Sequence, residues 1–320
     1  MSSSFNFLSR FNSGHRQDYI DFTKTELGGE RSGLISGIFS KKTLLFLMVE
    51  EWFALYCLVA LIRSLFGLKT VGLLFRAQDC VSSLKFLHRI KFLILKGFKK
   101  FKNIRTVSIV PFSIYPGISD ICDDWLYDFQ FWDIRFFEKK LDMVVVQDHI
   151  KVIKQHAKGR QVVCAVGRQD KSKGFDSFSS LYINNKCIQD NFCFVSGGKI
   201  SGISDSKINH FLTAGALVIN EKISNEMIAA LYKSADIIWA CYSSNYDQSS
   251  GVLGRALQYS LPVIVRKGSI AESISIELDY KHADSGIFHH ILDKASIYET
   301  KNPMSLDLIN QKTKFFDIIK

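Results

Sequence analysis

Short apolar runs, each followed by a stretch with helical spacing, recur along the whole chain, and this alternation constrains the fold more than any other feature. The runs are too continuous for strands with one wet face, and parallel strands buried on both sides read this way. Candidate strands are 5–11, 43–49, 70–75 and 106–110 in the first half, and 161–166, 192–196, 217–218, 237–240 and 262–265 in the second. Helices are expected to begin near His15, Glu51 and Val81. With 320 residues the chain has room for two such α/β domains, each large enough to bury its own core. The join is expected between about 142 and 159, giving an N-terminal domain 1–150 and a C-terminal domain 151–304, with a helix at 305–320 able to pack back on the first.

Charge separates the chain into unequal parts. Lys and Arg number 41 against 31 Asp and Glu, a net +10, and the segment 84–103 alone holds seven Lys/Arg and no acid. Elsewhere the balance is close to neutral, which argues against a surface coated with nucleic-acid contacts. The basic segment places apolar residues at helical spacing among its cations, the pattern of a helix lying on an anionic membrane surface. An amphipathic helix packed on a sheet, its basic face in water, gives the same pattern. The most apolar stretch, beginning at Thr43, is interrupted by Glu50 and Glu51, and the run from Trp52 to Ile62 would rise only about 16 Å. It therefore predicts a buried strand and a buried helix rather than a membrane span. Seven scattered cysteines without a C-x-x-C pair read as reduced thiols, and residues 1–17 carry no export signal, so a cytosolic location is expected.

Two segments carry chemistry. In AVGRQDKSKGFDSF, 165–178, an apolar strand ends at Gly167 and is followed by Arg168, Lys173 and Gly174, then a helical run. Two cations beside a strand's carboxyl end suit a diphosphate. A solvated basic loop is the bland alternative. In 223–274, a helix holding Leu231-Tyr232 leads through Ala235-Asp236 into a buried strand, then a polar loop 243–250, then a helix opening near Gly251. The amides of that helix start, with Ser249, Ser250, Gly251 and Val252, form a candidate phosphate site.

Taken together, these segments resemble the donor-binding half of the large GT-B retaining glycosyltransferase family (group 1, family 4-like). The shared order is Gly167-Arg168, Lys173-Gly174, Leu231-Tyr232, Ala235-Asp236, Pro262-Val263-Ile264, then Gly268 and Glu272, over 162–288. The resemblance implies a GT-B fold, two Rossmann-like doubly wound domains facing a central cleft. It also implies that Arg168 and Lys173 bind the donor diphosphate and stabilise charge on the leaving group. Where the family carries two glutamates eight residues apart, this chain has Asp247 and Arg255. Asp247 retains a carboxylate role at the donor sugar, whereas Arg255 leaves a carboxylate contact with the nucleotide ribose missing or supplied from elsewhere. In the first half, Ser13-Gly14-His15-Arg16 follows the first strand at the place of the family's glycine-rich loop, so Gly14 is a candidate for donor binding and His15 for contact with donor or acceptor. A surface histidine at a helix start is the alternative. Glu50, Glu51 and Asp79, at strand ends, are three candidates for a general base, among which the sequence does not choose.

The expectation is a transferase of hexosyl type (EC 2.4) moving a sugar from a nucleotide-diphosphate donor to a glycan or lipid-linked acceptor. It would need no further cofactor and no metal, since no D-x-D occurs, and retention is implied by the resemblance alone. The basic helix and the lack of an export signal place it at the inner face of a bacterial cytoplasmic membrane, in O-antigen, lipopolysaccharide or capsule synthesis. A non-catalytic nucleotide- or glycan-binding protein of the same fold is the alternative. An epimerase or phosphorylase on that fold fits less well.

Overall fold

The computed structural model describes residues 5–10, 15–285 and 310–320. The chain divides into two compact units, Met1–Phe136 with Leu306–Lys320, and Phe137–Ser305.

The first unit is a six-stranded parallel sheet. Its strands are β1 (Phe5–Leu8), β2 (Gly29–Arg31), β3 (Thr43–Phe46), β4 (Thr70–Leu74), β5 (Ile104–Ser108) and β6 (Asp124–Trp125), in the order β2-β1-β3-β4-β5-β6. The connecting helices are α1 (His15–Thr25), α2 (Leu34–Phe39), α3 (Phe53–Leu65), α4 (Ala77–Ser82) and α5 (Phe86–Phe98). Strand periodicity divides the side chains between two layers. Phe5, Phe7, Leu45, Leu47, Val71, Leu73 and Val107 face a core shared with Tyr19, Ile20 and Phe22 of α1 and with Phe315, Ile318 and Ile319 of the C-terminal helix, Gln311–Ile319. On the alternate register, Thr70 and Thr106 meet α3 through Arg63 Nε (3.1 Å) and the Tyr56 hydroxyl (3.0 Å).

Arg63 is fully buried and answers its charge with backbone. Its guanidinium donates to the carbonyls of Gly37, Ile38, Ser40, Lys42 and Lys69, stitching α2 and the β3 and β4 entries to α3. Burial pulls its pKa down to about 10, which leaves it charged at neutral pH.

In the second unit α6 (Ile134–Glu138), which begins just before the division, is followed by α7 (Met143–Ala157), α8 (Phe175–Ile183), α9 (Lys186–Asn191), α10 (Asp205–Thr213), α11 (Asn225–Ser234), α12 (Gly251–Gln258) and α13 (Ile270–Glu277). Strands β7 (Gln161–Val166), β8 (Phe192–Gly197), β9 (Leu217–Ile219), β10 (Ile237–Trp239), β11 (Val263–Val265) and β12 (His282–Asp284) form a parallel sheet in the order β12-β11-β10-β7-β8-β9. Val163, Ala165, Phe194 and Trp239 bury one face of this sheet against Phe175, Phe178 and Tyr182 of α8 and Phe211 of α10. Both units are therefore doubly wound, Rossmann-like layers. Strand order reverses between β1 and β3 in one sheet and between β7 and β10 in the other, and ligands of such sheets bind beyond the carboxyl ends at the reversal.

Several elements differ from the sequence expectation. β2, β6 and β12 carry no apolar run and were not anticipated; all three close sheet edges, where burial is not required. The helix expected from Val81 is two helices. α4 ends at Ser82, and the Lys85 amide donates to the Ser83 hydroxyl in the break before α5. The segment from Glu51, expected as a buried helix, opens with a 3-10 turn (Val49–Trp52), and α3 then keeps an exposed apolar side. Residues 143–157, where the sequence passes from apolar to polar, are one helix capped by Asp142.

Candidate functional site

The reversal in the second sheet is walled by the loops that leave β7, β8 and β10. After β7, Gly167 takes φ +91° and its amide donates to the Gly197 carbonyl at 2.9 Å. A Cβ on Gly198 (φ +137°) would lie 2.0 Å from the Gly167 carbonyl oxygen, so glycine alone allows this approach of the two strand ends. The pairing continues as Gln169 N donates to Lys199 O and Ser201 N to Gln169 O, both at 2.9 Å. Arg168 is left between these contacts, exposed, with its guanidinium 2.8 Å from Asp170.

Asp170 organises the turn. Its second oxygen accepts from the Ser172 hydroxyl (2.5 Å) and the Lys173 amide (3.0 Å). Burial alone would raise this carboxyl's pKa, but those two donors and Arg168 together hold it below the ordinary carboxylate value. Lys173 is held differently: its ammonium lies 4.0 Å from the Tyr242 ring centroid and 5.0 Å from that of Tyr246. Aromatic faces attract a cation without cancelling its charge. The β7 and β10 loops are also joined through backbone, Ser243 N to Ser172 O at 3.0 Å. Gly174 (φ +77°) completes the join, because a Cβ there would come within 2.1 Å of the Cys241 carbonyl oxygen.

Beyond β10 the loop runs into α12. Ser250 is its N-cap, accepting from the Leu253 amide (3.2 Å) while it hydrogen-bonds the Tyr242 hydroxyl (2.8 Å). The same tyrosine thus supports both Lys173 and the helix start. The Ser249 hydroxyl is buried and has no hydrogen-bond partner among the described residues. Gly251 and Val252 form the first turn, and the Val252 carbonyl accepts from the Tyr232 hydroxyl. A buried hydroxyl and the amides of a helix start are together an anion-accepting arrangement.

Asp247 is engaged by its own chain. Arg266 Nη2 lies 2.9 Å from one carboxylate oxygen, and the Ile270 amide, at the start of α13, donates to the other at 3.1 Å. Burial pushes its pKa up, partly offset by those donors. Arg266 Nε also donates to the Tyr242 carbonyl, so one guanidinium ties the end of β11 to the β10 loop. Arg255, at the position where a carboxylate was expected, is buried, with its guanidinium carbon 4.0 Å from the Phe137 ring centroid.

The remaining candidates belong to the first unit. Gly14 lies outside the described residues, and His15 is the first residue of α1. At the reversal of this sheet Arg10 donates to the Glu51 carbonyl (2.9 Å), and Arg16 forms an ion pair with the Glu51 carboxylate. The Glu50 carboxylate accepts from the Arg76 amide at 2.6 Å, and its other oxygen is buried without a partner among the described residues. Burial raises its pKa, only partly countered by backbone donors. For Glu50, one of the three general-base candidates, that upward shift is in the direction proton transfer near neutral pH requires.

The second sheet thus gathers Arg168, Lys173, Asp247, Ser249, Ser250, Gly251 and Val252 on loops flanking one reversal. Sequence reasoning missed Asp170, Tyr242, Tyr246 and Arg266. Arg266 had a legible signal, the first of two adjacent cations directly after the apolar run 262–265. The tyrosines had none, because their role depends on how two loops distant in sequence close together. Among the described residues, no helix is long and apolar enough to cross a membrane.

No family model and no curated protein matches this sequence. Solved structures do. WaaG, a glycosyltransferase involved in lipopolysaccharide biosynthesis, matches with a TM-score of 0.56 and 11% identity over 99% of this chain and 98% of its own. A UDP-forming α,α-trehalose-phosphate synthase from Burkholderia xenovorans matches with a TM-score of 0.56 and 11% identity over 97% of this chain and 80% of its own. A synthase of the same description from that organism, in complex with glucose-6-phosphate, gives 0.54 and 11% over 89% and 75%. These neighbours are GT-B glycosyltransferases, and the fold of this chain is GT-B, with a six-stranded Rossmann-like sheet in each unit.

Proposed function

We propose that the protein is a hexosyl-type glycosyltransferase that takes its sugar from a nucleotide diphosphate and passes it to a glycan or lipid-linked acceptor. The observation that carries this reading is the joining of the β7 and β10 loops, which sets Lys173, resting on its tyrosine faces, in one loop system with Arg168 and the α12 start. In the reaction the bond between the anomeric carbon and the diphosphate oxygen breaks. A new bond forms to an acceptor hydroxyl, whose proton must leave. Arg168 and Lys173 stabilise the charge that grows on the departing diphosphate, the step at which preorganised cations lower the barrier. The Ser249 hydroxyl and the amides of Gly251 and Val252 receive a phosphate, and Asp247 is assigned to the donor sugar. His15 and the Gly14 loop are assigned to the donor or acceptor, and Glu50 to the acceptor proton.

Retention of configuration and independence from metal belong to the same proposal. So does a place in the synthesis of bacterial O-antigen, lipopolysaccharide or capsule, at the inner face of the cytoplasmic membrane. The basic segment 84–103, which forms α5 and its flanks, supports an acceptor presented at an anionic lipid surface.

A second reading, a non-catalytic nucleotide- or glycan-binding protein, is favoured by Arg255 packed on Phe137 where a carboxylate was expected, and by the Arg266 pair on Asp247. One experiment separates the readings. The protein is melted with UDP, GDP, dTDP, ADP or CMP, and one nucleoside diphosphate is expected to stabilise it by about 2.7 kcal/mol at 100 times its Kd. Arg168→Ala and Lys173→Ala are each expected to abolish that shift. Consumption of the matching nucleotide sugar with an acceptor then supports the transferase, whereas binding with an intact donor under every acceptor supports the second reading. No shift with any nucleotide overturns the transferase and the nucleotide-binding form of the second reading, and leaves glycan binding.

A further inference from the structure

Helix α3 inverts the usual arrangement of a surface helix. Its one charged residue, Arg63, is fully buried, while the outward line Ala54, Leu58, Leu61, Leu65 is wholly apolar and exposed. Leu65 is 86% exposed, and Phe66 beyond it 65%. A helix that is apolar all round is ordinarily covered on every side.

The apolar surface continues on both neighbours. α2, bound to α3 by the Arg63 bonds to the Gly37 and Ile38 carbonyls, exposes Ile35 and Phe39. α5 meets α3 where the Lys91 ammonium lies 5.3 Å from the Phe53 ring centroid and where Tyr56 meets Phe98, and it exposes Phe86, Leu87 and Leu93. A contiguous patch of this kind marks an interaction surface.

Charge identifies the occupant. The exposed cations Lys85, Arg89, Lys96 and Lys100 stand among the apolar residues of α5 and its flanks, with no acid anywhere in 84–103. A second copy docked through the same face would set these cations against their own kind. A bilayer containing anionic lipid offers both an apolar interior and a complementary headgroup layer.

We propose that α2, α3 and α5 form a lipid-inserting platform, with the apolar residues of α2 and α3 seated at the boundary of headgroups and acyl chains and the α5 cations at the phosphates. The proposal rests on the membrane part of the reading above and goes beyond it, since α2 and α3 lie outside the basic segment. Lys99 takes no part. Its ammonium donates to the carbonyls of Ser119 and Cys122, so it belongs to the fold.

The test is flotation of the full-length protein with vesicles of phosphatidylglycerol and phosphatidylcholine in equal parts, at low and high salt. Two variants accompany it: Ile35→Asp with Leu65→Asp on the apolar helices, and Lys85→Glu with Lys96→Glu and Lys100→Glu on α5. All five positions are exposed, and the thermal melt of each variant checks that it remains folded. The wild type is expected to float and to keep a salt-resistant fraction. The aspartate pair is expected to weaken partitioning roughly tenfold or more and to remove that fraction, and the glutamate set to weaken binding chiefly at low salt. If the aspartate pair floats like the wild type while the glutamate set does not, the platform is overturned and adsorption by 84–103 stands. Failure of the wild type to float overturns both. A lipid-free dimer in sedimentation equilibrium that the aspartate pair dissociates would assign the face to a second copy and overturn the platform.

Discussion

Two carboxyl groups in this protein respond to pH in opposite directions, and each response follows from its neighbours. Asp170 is held below its ordinary pKa by donors that prefer it ionised. Its contribution is therefore complete above the unfolded-state value, about 3.9, and is lost as pH falls through the lower folded value. The β7 loop, and any diphosphate binding that depends on it, should be insensitive to Asp170 between about pH 5 and 8 and fade only in stronger acid. The nucleotide-induced thermal shift followed against pH checks this, and a loss centred near neutrality would refute it. Glu50 is raised instead, because burial opposes its charge. Its stabilising contribution is complete below its unfolded-state value, about 4.3, and disappears as pH rises through the folded value. Glu50→Gln keeps the acceptor for the Arg76 amide and removes the charge. The variant is expected to gain stability relative to wild type as pH rises from about 4 to 8, so the two curves of melting temperature should diverge. Parallel curves would mean that Glu50 is not titrating in a buried environment.

Elements, rather than single side chains, decide whether the second unit has a site at all. Ser250 both caps α12 and anchors the tyrosine beneath Lys173. Ser250→Ala is expected to cost about 1 kcal/mol from the cap, and to weaken nucleotide binding beyond that by releasing Tyr242. Ser204→Ala, which removes the ordinary N-cap of α10, should cost a similar amount and leave binding unchanged. Equal binding losses in the two would deny the Tyr242 link. The same scale shows where the sequence was informative. β7 was read to its end residues and most other core strands to within a few, because a strand buried on both faces needs an unbroken apolar run. β2, β6 and β12 have two or three residues each and left no such trace. The cations Arg168 and Lys173 were legible from their place after a strand, whereas the Tyr242 and Tyr246 faces arise from loop closure across some seventy residues of chain. The apolar run of α3 signals removal from water, but it does not say whether protein or lipid removes it.

At the scale of the whole molecule, the chain returns at its end to the unit where it began. Phe315 packs edge-on against Phe5, and Phe315, Ile318 and Ile319 complete the first core, which the first 136 residues alone leave open. Polar contacts fix the same return. Gln311 accepts from the Tyr127 amide (2.9 Å), Lys69 donates to the Ile318 carbonyl (2.8 Å), and Thr43 to that of Ile319 (3.0 Å). The first unit is thus built from both ends of the sequence, and its stability depends on residues far from its strands. Phe315→Ala removes a fully buried ring and is expected to cost about 3–5 kcal/mol. Because the second unit has its own core, around Phe178 and Phe194, the cost should fall unevenly. Hydrogen exchange is expected to show faster exchange for the amides of β1 and β3, with those of β7 and β8 protected as before and the nucleotide-induced shift preserved. Equal loss of protection in both sheets would mean that the two units unfold as one, and that the C-terminal helix supports the β7 and β10 loops as much as it supports the core it enters.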